Sequence, residues 1–321
     1  MPYLYFHNHL SVESGQPVGG TPGEIVIRVS SAGICNTDIE ITRGYIPGFK
    51  GIPGHEFFGY VDQVPDFSLN HLIGKRVTAE INCGCGSCLF CRQNMERHCP
   101  DRTVIGIVNR NGAFADCISV PVRNVVRIPD TISDDNALLI EPLAAALEIQ
   151  EQIAIKPDHR VLLLGDGKLA HLIALTLKAA GCSLNVAVKH AWKSELLRSR
   201  GIDTVPDHTT LPDHYYDIVI EATGSPPAFN EAMNKVRPRG TVILKSTYAN
   251  GFAFNPASTV VNEISIIGSR CGRFAAAIEF LRKERPDLTY LISQRFPLHE
   301  GVAAFEAAQQ PDVMKVAIDC I

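Results

Sequence analysis

Cys85-Gly-Ser-Cys88-Leu-Phe-Cys91 followed by Cys99 sets three thiols at two-residue gaps and a fourth seven residues on. Four thiolates close a tetrahedral shell and leave no position for substrate or water, so this spacing predicts a structural zinc. Cys83 stands beside the group as a spare thiol or as a competitor of Cys85. A second set of zinc-ligand types is dispersed. Cys35 follows the alternating stretch Ile25, Ile27, Val29, and Gly54-His55-Glu56 presents an imidazole and a carboxylate after a turn. Glu141 is an acid inside the apolar run from Ala137 to Leu147, where a metal or cation is its natural companion and a solvent-facing helix position the bland alternative.

A third chemistry lies mid-chain in Val161-Leu162-Leu163-Leu164-Gly165-Asp166-Gly167-Lys168-Leu169-Ala170. Four apolar residues without alternation fit a parallel strand buried on both faces, and Leu169, Leu172, Ile173, Leu177 and Ala180 then recur at helical spacing. Gly165 permits the tight turn, Gly167 lets the backbone approach a pyrophosphate, and Ala170 permits close packing, the G-x-G-x-x-A form of the dinucleotide fingerprint. Lys168 and Leu169 open the helix whose N-terminus would face the phosphates. Thr223 and Gly224, at the turn after the buried strand from Tyr216, are placed with them at the cofactor.

The elements that must position these residues fall into two styles. Before residue 130 the chain reads as β-rich, with strands expected over Gly23 to Val29 and through Gly106 to Val120, the latter with Asn111-Gly112 as a turn. From Val161 strands alternate with helices: strands over Leu184–Val188, Tyr216–Glu221, Thr241–Thr247 and Ile264–Gly268, helices over Phe229–Val236 and Phe274–Arg282. Such alternation predicts a doubly wound parallel sheet. After Pro286-Asp287 the tail, with a strand over Val313–Ile318, is expected to return to the first domain.

The 321 residues suffice for two cores, and a formal charge of −4 without a Lys/Arg cluster argues against a nucleic-acid partner. The N-terminus lacks a basic region followed by an apolar core, and no apolar run of membrane-spanning length occurs, so a cytoplasmic protein with no membrane partner is expected. Five of the ten cysteines crowd between Cys83 and Cys99, which favours metal over cystine and a reducing compartment.

The order of motifs, a Cys-x-Thr-Asp loop, a Gly-His-Glu turn, the Cys-x2-Cys-x2-Cys-x7-Cys lobe, a Glu-Pro-Leu segment and the fingerprint, resembles the zinc-dependent medium-chain alcohol and polyol dehydrogenases over essentially the whole chain. The resemblance implies an α/β fold: a GroES-like β-rich catalytic domain over 1–142 and 273–321, with the zinc lobe at 83–100, and a Rossmann doubly wound domain over 143–272. It further implies an active site between the domains, one catalytic and one structural zinc, a small-molecule alcohol or carbonyl substrate and a homo-oligomer, dimer or tetramer. Carried over by position, Cys35 and His55 resemble catalytic-zinc ligands, with Glu56 or Glu141 as the remaining carboxylate. Asp38 looks like the acid that orients His55, Thr37 like the hydroxyl that takes the substrate's proton, and Lys315 like the basic residue that meets the cofactor phosphates. Glu40 stands where many relatives have a relay histidine. Where NAD-preferring relatives carry an acid, this chain has Lys189-His190, with Lys193 beyond and no Asp or Glu between Gly181 and Ser194, so NADP is expected over NAD. The zinc-free quinone and enone reductases of the same superfamily, which lack the catalytic ligands, and a zinc-stabilised binding protein without turnover are the alternatives.

Overall fold

The computed structural model describes residues 2–15, 21–248 and 253–321. They divide into two compact units, Met1–Glu141 with Arg273–Ile321, and Pro142–Gly272. Along the chain come β1 (Pro2–His7), β2 (His9–Ser14), β3 (Glu24–Gly33), α1 (Asn36–Thr42), β4 (Glu56–Gln63), β5 (Arg76–Ala79), β6 (Asn82–Cys83), α2 (Leu89–Arg92), β7 (Thr103–Val104), β8 (Cys117–Pro121), β9 (Val125–Arg127), α3 (Asp134–Leu138) and α4 (Ile140–Gln152). There follow β10 (Arg160–Leu164), α5 (Lys168–Ala180), β11 (Ser183–Ala187), α6 (Ala191–Arg198), β12 (Thr204–Val205), β13 (Tyr216–Glu221), α7 (Pro227–Lys235), β14 (Val236–Leu244), α8 (Ala257–Val261) and β15 (Ser265–Gly268). The tail supplies α9 (Phe274–Glu284), β16 (Ile292–Pro297), α10 (Gly301–Ala307) and β17 (Lys315–Asp319).

In the first unit a seven-stranded sheet runs β16-β17-β3-β4-β5-β9, with β8 paired to β3. The long strand β3 organises it, because Ile25, Ile27 and Val29 on one face are fully buried and each of its edges finds a partner. The C-terminal β17 lies antiparallel to the end of β3, so the tail does return to the first unit. The segment read as strands over Gly106 to Val120 forms one only at β8. Upstream of it, the backbone N–H groups of Gly112, Ala113 and Phe114 donate to the carbonyls of Ile52, Gly54 and Pro53, so this stretch braces the loop before His55 and forms no ladder of its own. The hairpin β1-β2, whose Leu4 is buried, was not read from the sequence.

In the second unit six parallel strands take the order β12-β11-β10-β13-β14-β15. The order reverses between β10 and β13, and in such sheets ligands bind at the carboxyl ends of the strands beside that reversal. Val161 to Leu164 are buried on both faces, as the unalternating run demanded. Gly165 has φ +128°, and a Cβ there would stand 2.7 Å from the carbonyl oxygen of Ala222, so the turn needs glycine. The strand expected from Thr241 begins earlier, at Val236, directly after α7.

Candidate active site and metal centres

The first donor set grows from local structure around α1. Cys35 is its N-cap, and Asp38 returns Oδ2 to the backbone N–H of Cys35 at 2.8 Å. Asp38 Oδ1 accepts from the N–H of Gly54 at 3.1 Å, which ties the cysteine loop to the loop ending in His55. The same oxygen is 3.3 Å from His55 Nδ1, so the imidazole turns this nitrogen to the acid and keeps Nε2 for another partner. Burial alone would lower the His55 pKa; the Asp38 carboxylate outweighs it and raises the imidazole well above its ordinary value.

Ligand atoms of Cys35, His55 and Glu56 lie within 4.8 Å of one another. Glu141 is outside that group, in the first turn of α4, and acts on the site through its charge, which raises the Lys315 pKa. Thr37 Oγ1 is 3.7 Å from Cys35 Sγ. Glu40 pairs with Arg43, the C-cap of α1, at 2.9 Å.

Lys315 corrects the reading that sent it to cofactor phosphates. It is fully buried; its ammonium is held by Glu56 and lies 3.3 Å from the Ile34 carbonyl oxygen. Desolvation would lower its pKa, but Glu56 first and Cys35 next raise it, so it stays charged. Gly33 makes room for the pair, since a Cβ there would come 2.8 Å from Glu56 Oε2.

The second donor set is Cys85, Cys88, Cys91 and Cys99, also within 4.8 Å; Cys83 is buried outside it. Backbone N–H groups of Cys85, Cys88 and Cys91 point at Sγ of Cys99, Cys85 and Cys88 at 3.4, 3.4 and 3.5 Å. Hydrogen bonds from Ser87 bring the Cys85 thiol down to about 6, while burial pushes Cys91 up to about 12. Four thiols this close cannot all ionise without a cation to share their charge, so the set fits zinc.

In the second unit Gly167 caps α5, and a Cβ added to it would meet nothing within 4 Å, which is the open backbone approach a pyrophosphate needs. Lys168 and Leu169 begin α5 beside it. Thr223 and Gly224 follow β13, where buried Glu221 accepts from the N–H and hydroxyl of Thr223 at 2.7 and 2.6 Å and from the Tyr248 hydroxyl at 2.6 Å. At the end of β11 Lys189 is exposed, whereas His190 and Lys193 face Asp166 at 2.8 and 3.6 Å. Asp166 and Glu221 were missed by the sequence reading. Asp166 was legible as the one charged residue between the two glycines.

Residues 21–130 match the alcohol dehydrogenase GroES-like domain and residues 169–283 the zinc-binding dehydrogenase domain. D-arabinitol dehydrogenase 1 of Uromyces fabae is 27% identical over 92% of this chain and 89% of its own, and L-threonine 3-dehydrogenase of Sinorhizobium medicae (strain WSM419) 28% over 93% and 92%. The fold is shared with an E. coli CFT073 alcohol dehydrogenase (rspB) complexed with NADH (TM-score 0.91, 24% identity, 99% of both chains). It is shared equally with a zinc-binding dehydrogenase of Sinorhizobium meliloti 1021 bound to NADP (TM-score 0.90, 24% identity, 99% and 98%). A GroES-like domain followed by a zinc-binding dehydrogenase domain, matched in this order, defines an oxidoreductase of the alcohol dehydrogenase type. The chain belongs to the zinc-binding medium-chain alcohol and polyol dehydrogenase family.

Proposed function

We propose that the protein transfers a hydride between an alcohol or polyol, or the matching carbonyl, and a nicotinamide cofactor, with one catalytic and one structural zinc. The observation that carries the reading is the gathering of Cys35, His55 and Glu56 with Asp38 behind the imidazole. These three side chains would hold the catalytic ion, and Cys85, Cys88, Cys91 and Cys99 would hold the structural one. When bound, the zinc would supply Lewis-acid polarisation of the substrate oxygen and the nicotinamide the hydride-carrying chemistry. Asp38 holds the His55 ring, and Lys315 balances the charge of Glu56. Thr37, beside Cys35, takes the substrate's hydroxyl proton and passes it outward.

Between the cofactors, the exposed Lys189 ammonium speaks for NADP and the Asp166 carboxylate for NAD. The three donors speak against the zinc-free reductase branch, and turnover would dismiss the inactive binding protein. No helix among the described residues is long and apolar enough to cross a membrane, and a cytoplasmic homo-oligomer acting on small molecules completes the reading.

The test is a screen of primary alcohols, secondary alcohols and polyols with each cofactor, in wild type and His55→Ala. We expect His55→Ala to lose turnover and zinc from one site while still binding the dinucleotide, whose residues belong to the other unit. Undiminished turnover in that variant would remove His55 from the metal.

A further inference from the structure

We propose that Asp166, on the turn between β10 and α5, is the residue that selects the cofactor, and that it selects NAD. The proposal rests on the dehydrogenase reading above. The end of β11, where an acid for the adenine ribose belongs, has none of its own; a carboxylate reaches it from the neighbouring strand's turn. Asp166 Oδ2 accepts from the backbone N–H groups of Lys189 and His190 at 2.9 Å each and lies 2.8 Å from His190 Nδ1, while Oδ1 faces Lys193 Nζ at 3.6 Å. Two adjacent N–H groups, an imidazole and an ammonium are what a turn offers to a phosphate. Here the protein's own anion occupies that cradle.

Two consequences decide the choice. A 2′-phosphate would find the N–H groups already used and would bring its negative charge against a carboxylate that is itself charged. Burial works to raise the Asp166 pKa, but His190, the two N–H groups and Lys193 together hold it below its ordinary value. A ribose carrying free hydroxyls can instead donate to Oδ1, which Lys193 approaches but does not hydrogen-bond. Lys189 is exposed to solvent, where its attraction for phosphate is screened. The reading from Lys189, His190 and Lys193 to NADP thus loses two of its three donors to Asp166.

Trp192, the sole tryptophan, lies two residues beyond His190, so its fluorescence reports dinucleotide binding without any turnover. Wild type and Asp166→Asn are titrated with NADH and with NADPH. The asparagine keeps an oxygen for the two N–H groups and discards the charge. We expect wild type to bind NADH roughly tenfold or more tightly than NADPH, and the variant to shift that ratio toward NADPH by a similar factor, the size of one charge-assisted contact. Equal or tighter binding of NADPH by wild type overturns the proposal, as does a folded variant with an unchanged ratio. Wild type that binds neither would overturn the dehydrogenase reading with it. Should the variant fail to fold, the wild-type ratio decides alone.

Discussion

Glu56 and Lys315 are both sealed from solvent, and each makes the other's burial tolerable. Removing one member of a buried ion pair leaves an uncompensated charge and costs about 3–5 kcal/mol. Lys315→Met should therefore destabilise metal-free protein by about that amount. It should cost much less with zinc loaded, because a divalent ion beside Glu56 supplies the missing positive charge. Urea unfolding of wild type and variant, stripped and zinc-loaded, measures both differences; equal losses in the two states would separate Glu56 from the metal. The same pair marks the limit of sequence reading at this scale. Cys35, Thr37 and Asp38 were legible because one helix cap places them, three residues from end to end. Glu56 and Lys315 lie 259 residues apart, and no local pattern announces their meeting. Glu56 and Glu141 stayed equivalent for the same reason.

The zinc lobe and α5 show how elements depend on such residues. The lobe contributes two turns of short helix and a two-stranded ladder, and its buried side chains are largely the cysteines themselves. Cys88→Ala should lower zinc content by about one ion per chain and the melting temperature by several degrees before any direct effect on rate. Unchanged zinc content would dissolve the four-sulfur assignment. Helix α5 carries fully buried His171, whose pKa desolvation drives down to about 4 from 6.5. Below pH 6.5 the unfolded chain takes up a proton that the folded helix refuses, so stability falls as pH drops toward 4, by about 3 kcal/mol in all. His171→Leu should flatten that part of the stability profile, and a slope that survives the substitution would assign it elsewhere. The spacing that predicted α5 also predicted its buried face, because periodicity is a local property. The stretch before β8 misled because alternation records which residues are buried, and Ala113 and Phe114 are buried with their N–H groups on the loop before His55 and not in a sheet ladder.

At the scale of the whole molecule, the order of motifs carried the two-domain architecture, but association leaves no motif and must be argued from surface. The parallel sheet has two edges. Strand β12 is only two residues long, which blunts it as a template, whereas β15 runs four residues with Ile266 partly exposed. Beside it in the chain, α8 presents Val260 and Val261 at 76% and 79% exposure, an apolar pair that water solvates poorly. An open strand edge is self-complementary under a two-fold axis: β15 can pair antiparallel with its own copy, which satisfies both edges. The expected state is therefore a dimer, or a tetramer built from such dimers. Light scattering after size exclusion should give at least twice the 35.0 kDa chain mass at micromolar concentration. Val260→Asp with Val261→Asp, which alters exposed side chains only, should return it to monomers with the fold's circular dichroism intact. A wild type that runs as a monomer would end the argument, and a double variant that stays dimeric would move the interface away from this edge.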